Sequence, residues 1–99
     1  MRNEEDWQMF LDFCLKTKKI SRLEELFNLF FTIEEKEHLA SRMQIIRALL
    51  DKKLSQREIS DKMQVSISQI TRGSNALKII DDDFLKFIEN YVREYKNEK

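Results

Sequence analysis

Between Ser55 and Ile79 the chain carries Gln56, Arg57, Lys62, Ser66, Ser68, Gln69, Thr71, Ser74, Asn75 and Lys78, side chains that can grip phosphates or read base edges. An arginine can hold a guanine through two parallel hydrogen bonds, and small hydroxyl and amide groups suit phosphate oxygens. Residues 51–78 contain six basic side chains (Lys52, Lys53, Arg57, Lys62, Arg72, Lys78) against three acidic ones (Asp51, Glu58, Asp61), although the whole chain has no net charge. That local excess is light. It suits specific binding to nucleic acid with modest non-specific affinity.

Other chemistry finds little support. Asp81, Asp82 and Asp83 are better read as the acidic opening of a helix, where carboxylates meet the positive end of the dipole, than as a metal site. His38 is isolated, and the single Cys14 allows neither an internal disulfide nor a thiolate metal cluster. No carboxylate pair, no nucleophile beside a base and no phosphate loop can be recognised, so an enzyme is not expected. Gly73 is the only glycine. Within a helix it costs roughly 1 kcal/mol relative to alanine. Either a close helix crossing or the close approach of a ligand or DNA would explain it.

The elements that must position these residues are helices. Proline is absent, and chains built of strands usually recruit both proline and glycine for their turns. Trp7, Phe10, Leu11 and Cys14 recur at helical spacing, as do Leu23, Leu26, Phe27 and Phe30. The same spacing returns in Leu39, Met43, Ile46 and Leu50, and in Phe84, Phe87, Ile88 and Tyr91. A serine or threonine followed three residues later by glutamate or glutamine caps a helix start, because each side chain satisfies a backbone N–H of the other. That pattern occurs at Ser21/Glu24, Thr32/Glu35, Ser55/Glu58 and Ser66/Gln69. Together these signals predict helices near 4–18, 22–30, 33–51, 56–63, 67–79 and 82–96. Ile59, Met63, Val65 and Ile70 are the inward positions that would lock the fourth and fifth helices into a helix-turn-helix over about 55–79. Two short amphipathic helices would also fit an interaction module with no DNA partner.

Ninety-nine residues, 41% hydrophobic and 36% charged, fit one domain over 1–99 that is too apolar for disorder. The apolar run from Leu26 to Phe31 is broken by Asn28 and falls far short of the ~18 residues that span a bilayer. The opening Met-Arg-Asn-Glu-Glu-Asp-Trp lacks the apolar core of a signal peptide. A cytoplasmic protein without membrane contact is expected.

Ser55-Gln-Arg-Glu-Ile59, and then Ile70-Thr-Arg-Gly-Ser-Asn-Ala-Leu-Lys78, resemble the helix-turn-helix of the tryptophan repressor family. The likeness extends upstream through Asn28-Leu-Phe-Phe-Thr32 and Ser41-Arg42, and covers roughly residues 5–95. It implies an all-α, six-helix subunit in an intertwined homodimer that binds double-stranded operator DNA, with L-tryptophan as corepressor and no other cofactor or metal. In that family the ligand lies between the reading unit of one subunit and the core of the other. Arg42 and Arg72 match the arginines that sandwich the indole, Arg72 and Thr32 flank the ligand carboxylate, and Leu29 and Phe31 offer backbone carbonyls to its ammonium group. Gly73 and Ala76 line the slot. The implied DNA-binding set is Gln56, Arg57, Ile67, Ser68, Gln69, Thr71, Arg72, Gly73, Ser74, Asn75 and Lys78, with Arg57 the best placed for a guanine. Trp7 and the phenylalanines at 10, 13, 27, 30, 84 and 87 would fill a core shared between subunits.

Some residues depart from the family pattern. Ala76 replaces a serine that helps the ligand ammonium group, Ser60 replaces a lysine of the first reading helix, and Ser68 and Gln69 differ in the second. Gln64 and Val65 replace small turn residues, implying a stiffer reading head. The resemblance therefore implies a tryptophan-activated repressor of tryptophan biosynthesis or uptake genes. A repressor of the same fold with an altered effector, or none, is the alternative that Ala76 keeps open.

Overall fold

The computed structural model describes residues 2–98, which form six α-helices and no strand. They are α1 (Glu4–Lys16), α2 (Ile20–Phe30), α3 (Ile33–Asp51), α4 (Gln56–Met63), α5 (Ile67–Ile79) and α6 (Asp82–Glu98). Every expected helix is present, with shifts of two residues at the end of α1, the start of α2 and the end of α6. Three of the four expected capping boxes close. Thr32 with Glu35, Ser55 with Glu58 and Ser66 with Gln69 each exchange both bonds, at 2.8–3.2 Å. The fourth does not. Ser21 lies inside α2, which starts at Ile20 after an uncapped Lys19. Starting earlier adds the bond from the Leu23 N–H to the Lys19 carbonyl at 2.9 Å. Asp81 caps α6, its carboxylate accepting the Phe84 N–H at 2.7 Å, so the acidic run serves the helix opening.

The chain divides into two compact units, one ending at His38 and the other beginning at Leu39. In the first, the α1 end is closed by side chains that bond its last carbonyls. The Thr17 hydroxyl donates to Phe13 and the Lys18 ammonium to Leu15, both at 2.8 Å. Phe10 is the hub of the packing. Its ring lies 5.2 Å from Phe30, 5.8 Å from Trp7 and 6.2–6.3 Å from Phe31 and Phe27, partly stacked and partly edge-on. Leu26 alone is buried among the described residues of this unit.

In the second unit one isoleucine from each of α3, α4 and α5 forms the core. Ile45, Ile59 and Ile70 are at most 1% exposed, with Ala48, Leu49, Leu54, Met63 and Val65 packed around them. Ile59, Met63, Val65 and Ile70 therefore hold the inward positions that the sequence gives them. The apolar stripe of α3 is different. Leu39 and Met43 are exposed and Ile46 and Leu50 half-buried, whereas the buried seam runs through Ile45, Ala48 and Leu49. The helix bears two apolar stripes, and helical periodicity picks the one that the single chain leaves uncovered. Phe13, Phe30, Phe84 and Phe87 are likewise exposed rather than core within one chain, with Phe87 at 65%.

Gly73 marks the crossing of α5 over α3. A Cβ built there would lie 3.1 Å from Ile45 Cγ2 and 3.6 Å from Leu49 Cδ1. The helices approach closely because the glycine has no side chain. Gly73→Ala is expected to lower stability by about 1 kcal/mol, since overpacking costs about 1–3 kcal/mol and the helix propensity gained is about 1 kcal/mol. Ile45→Leu removes the obstructing Cγ2, so the double variant should recover most of that loss. Urea midpoints of the four proteins in the cycle measure the coupling.

Candidate nucleic-acid interface

The helix-turn-helix is built from α4 and α5, joined by Gln64, Val65 and Ser66. Its turn is a left-handed stop. Gln64 has φ 57° and ψ 44°, a conformation that usually favours glycine or asparagine. The Ser60 carbonyl accepts the N–H groups of both Gln64 and Val65, the latter at 3.3 Å, and the Gln64 side chain covers the Asp61 carbonyl at 2.8 Å. The Ser60 hydroxyl turns inward and donates to the Val65 carbonyl at 2.6 Å. The capping box of Ser66 then starts α5.

On α5, Ile70 and Gly73 are buried and Leu77 is half-buried, so the outward arc carries Ile67, Ser68, Thr71, Arg72, Asn75 and Lys78, all exposed. Gln56 and Arg57 are exposed at the first turn of α4. Eight of the eleven expected DNA-binding residues are therefore exposed on these two helices. Ser74 is half-buried, and Gly73 faces α3. Gln69 is half-buried, its carboxamide oxygen accepting the Ser66 N–H at 3.2 Å as the second half of the cap. Ile79 belongs to the same outward side and is 85% exposed, although side-chain type alone gives an isoleucine there no polar role.

The residues expected to hold the ligand fall in both units. In the second, Arg42 is half-buried on α3, with its Cδ 3.9 Å from the Cβ position at Gly73. Arg72 is exposed next to that glycine, and Ala76 follows one turn later, half-buried. Neither arginine has a hydrogen-bond or ion-pair partner among the described residues. Arg42 thus borders the α5–α3 crossing at Gly73, and Arg72 follows that crossing on the exposed side of α5. In the first unit Leu29 lies at the end of α2, with Phe31 and Thr32 following it. Carbonyls at a helix C-terminus are acceptors without an intrahelical partner, as an ammonium ligand requires. The Thr32 oxygen accepts the Glu35 N–H at 3.1 Å, which leaves its own proton to donate.

A capped second helix behind a tight turn, with a cationic and hydroxyl-rich outward arc, is the helix-turn-helix arrangement. A family model described as Trp repressor protein matches residues 5–92. The chain is 50% identical to a "Trp operon repressor homolog" of Chlamydia caviae over 97% of its own length and 95% of that protein. It is also 50% identical to the one of Chlamydia trachomatis serovar D, over 93% and 100% of the two chains. The corresponding protein of Histophilus somni is 40% identical over 92% and 86%. The chain belongs to the Trp repressor family and is a transcription regulator, not an enzyme. No helix among the described residues is long and apolar enough to cross a membrane.

Glu58 ties the α4 cap to pH. Its carboxyl is held below the ordinary value chiefly by the Ser55 backbone N–H, then by the Ser55 hydroxyl, with a lesser attraction from Lys62. A lowered value favours the ionised form in the fold. The cap therefore contributes fully above the usual carboxylate range and fades as pH falls through the lowered value. Glu58→Gln keeps an acceptor that does not titrate. The loss of urea stability between about pH 7 and about pH 3 is expected to be smaller in Glu58→Gln than in the parent protein.

Proposed function

We propose that the protein is a tryptophan-activated, operator-binding repressor of tryptophan biosynthesis or uptake genes, acting in the cytoplasm as an intertwined homodimer. The observation that carries this reading is the division of labour on α5. Its outward arc bears phosphate and base-edge donors, while Gly73, at its inner edge, sits beside Arg42 of α3 and next in sequence to Arg72.

In this reading Arg57 reads a guanine, and Gln56, Ile67, Ser68, Thr71, Ser74, Asn75 and Lys78 contact neighbouring bases and phosphates. Arg42 and Arg72 stack on the two faces of the indole, with Gly73 and Ala76 lining its slot. Leu29, Phe31 and Thr32 of the second subunit complete the site at the amino-acid end. The half-burial and capping bond of Gln69 argue for a supporting role rather than a direct base contact. Ligand binding favours the head orientation in which two recognition helices meet successive major grooves, and it activates only through its higher affinity for that orientation.

Dimerisation is supported by the apolar side chains that one chain leaves open: Trp7, Leu11, Phe13 and Phe30 in the first unit, and Leu39, Met43, Phe84, Phe87 and Tyr91 in the second. A monomer rarely exposes so many large apolar groups.

Titration of an operator duplex at fixed salt, with and without L-tryptophan, tests the function. Operator affinity should rise steeply with tryptophan, and Arg72→Ala should abolish that dependence. Arg57→Ala should cost about 1–3 kcal/mol on operator and little on random duplex. Tight binding without tryptophan would instead favour another effector or constitutive repression, the outcome to which Ala76 points. Sedimentation should give twice the mass of one chain, and a monomeric species would overturn the dimer.

A further inference from the structure

We infer that Ser60 is a positioning residue for operator binding, a latch that sets the relation of α4 to α5 without touching DNA itself; the inference rests on the DNA-binding reading above. Two of its groups, the carbonyl and the hydroxyl, make three hydrogen bonds that close the turn. Its carbonyl receives Gln64 and Val65, and its half-buried hydroxyl returns a 2.6 Å bond to the Val65 carbonyl. Without that hydroxyl, the Val65 carbonyl loses this partner at the point where the chain leaves the turn, although half-burial leaves water partial access.

The position needs such a latch. Gln64 is held in a left-handed conformation that residues with a Cβ resist, so the turn must be stabilised from outside itself. The apolar packing of Ile59, Met63, Val65 and Ile70 resists separation of the helices, but it is non-directional and fixes a twist poorly. A short directional bond between the last turn of α4 and the residue before the α5 cap fixes that twist. Specific recognition depends on it, because Arg57 on α4 and the outward arc of α5 must meet their base edges and phosphates together. The Ser60 hydroxyl proton is committed to the Val65 carbonyl and is not offered to a phosphate.

The full-length protein with Ser60→Ala and Ser60→Thr tests this against an operator duplex and a random duplex, with tryptophan saturating, over a range of salt. Ser60→Ala is expected to weaken operator binding about fivefold, the value of one neutral hydrogen bond, while random-duplex affinity and the salt slope stay unchanged. Ser60→Thr retains the hydroxyl and should restore operator affinity. Exchange of the Val65 and Ser66 amide protons should accelerate in the alanine variant only. Unchanged operator affinity in Ser60→Ala overturns the inference, as does an equal loss on both duplexes or a shallower salt slope. If the parent protein binds neither duplex, the DNA-binding reading fails and the positioning role fails with it. Parental binding with no Ser60 effect leaves that reading intact and removes this one alone.

Discussion

The helix-turn-helix depends on three isoleucines that meet where α3, α4 and α5 converge. Ile45, Ile59 and Ile70 are almost wholly removed from water, and fully burying a side chain of that size is worth about 1.5–3 kcal/mol. The supporting helix α3 is drawn tight against α5 because Gly73 offers no Cβ to Ile45. That contact couples two roles. It seats the recognition helix, and it brings Arg42 alongside the glycine that Arg72 adjoins. A ligand lodged against this crossing would press on the same helix that presents Thr71, Asn75 and Lys78 outward. Under the proposed function, coupling between ligand and DNA would need no long pathway, since α5 would form a wall of both sites.

Outside that core, a single chain protects little of its apolar surface. Among the described residues only Leu26, Ile45, Ile59 and Ile70 are buried hydrophobics, while rings such as Phe84, Phe87, Tyr91 and Trp7 stand open. A sequence of this composition usually buries far more. The second stripe of α3 and the aromatic face of α6 follow helical spacing as regularly as any core face does. Their regularity is that of a face built to be covered, which a second copy would supply under the proposed function.

The helices were legible from capping chemistry more than from propensity. At Thr32, Ser55 and Ser66 the box requires one residue type at each of two positions, and the backbone donors it satisfies have no alternative partner. At Ser21 the same pattern misleads, because the helix runs back to Ile20 and takes the serine into its first turn. Periodicity could not say which of two stripes on α3 faces its own chain, since both have the same spacing and differ only in what packs on them. Within the candidate site, Arg57 and the α5 arc were legible by residue type. Gln69 was not, because glutamine suits a base edge and a helix cap equally. The inward turn of Ser60 was invisible for a related reason: nothing local distinguishes a surface serine from one that reaches five residues ahead.

The two left-handed residues that bracket α4 bear on how such a head moves. Lys52 and Gln64 both have φ near 58° without being glycine. Each non-glycine residue in that region costs roughly 1–2 kcal/mol. Strain of this kind persists only where surrounding bonds over-determine the backbone. At Gln64 those bonds are present, from Ser60 and to Asp61. At Lys52 the chain leaves α3 for α4 with Leu54 packed on the core just beyond. With α4 tied to the turn through Ser60 and packed on α5 through Ile59 and Ile70, internal rearrangement of α4 against α5 is opposed. A change of reading-head orientation would then carry the pair as one body, with its base-reading geometry already set before DNA is met.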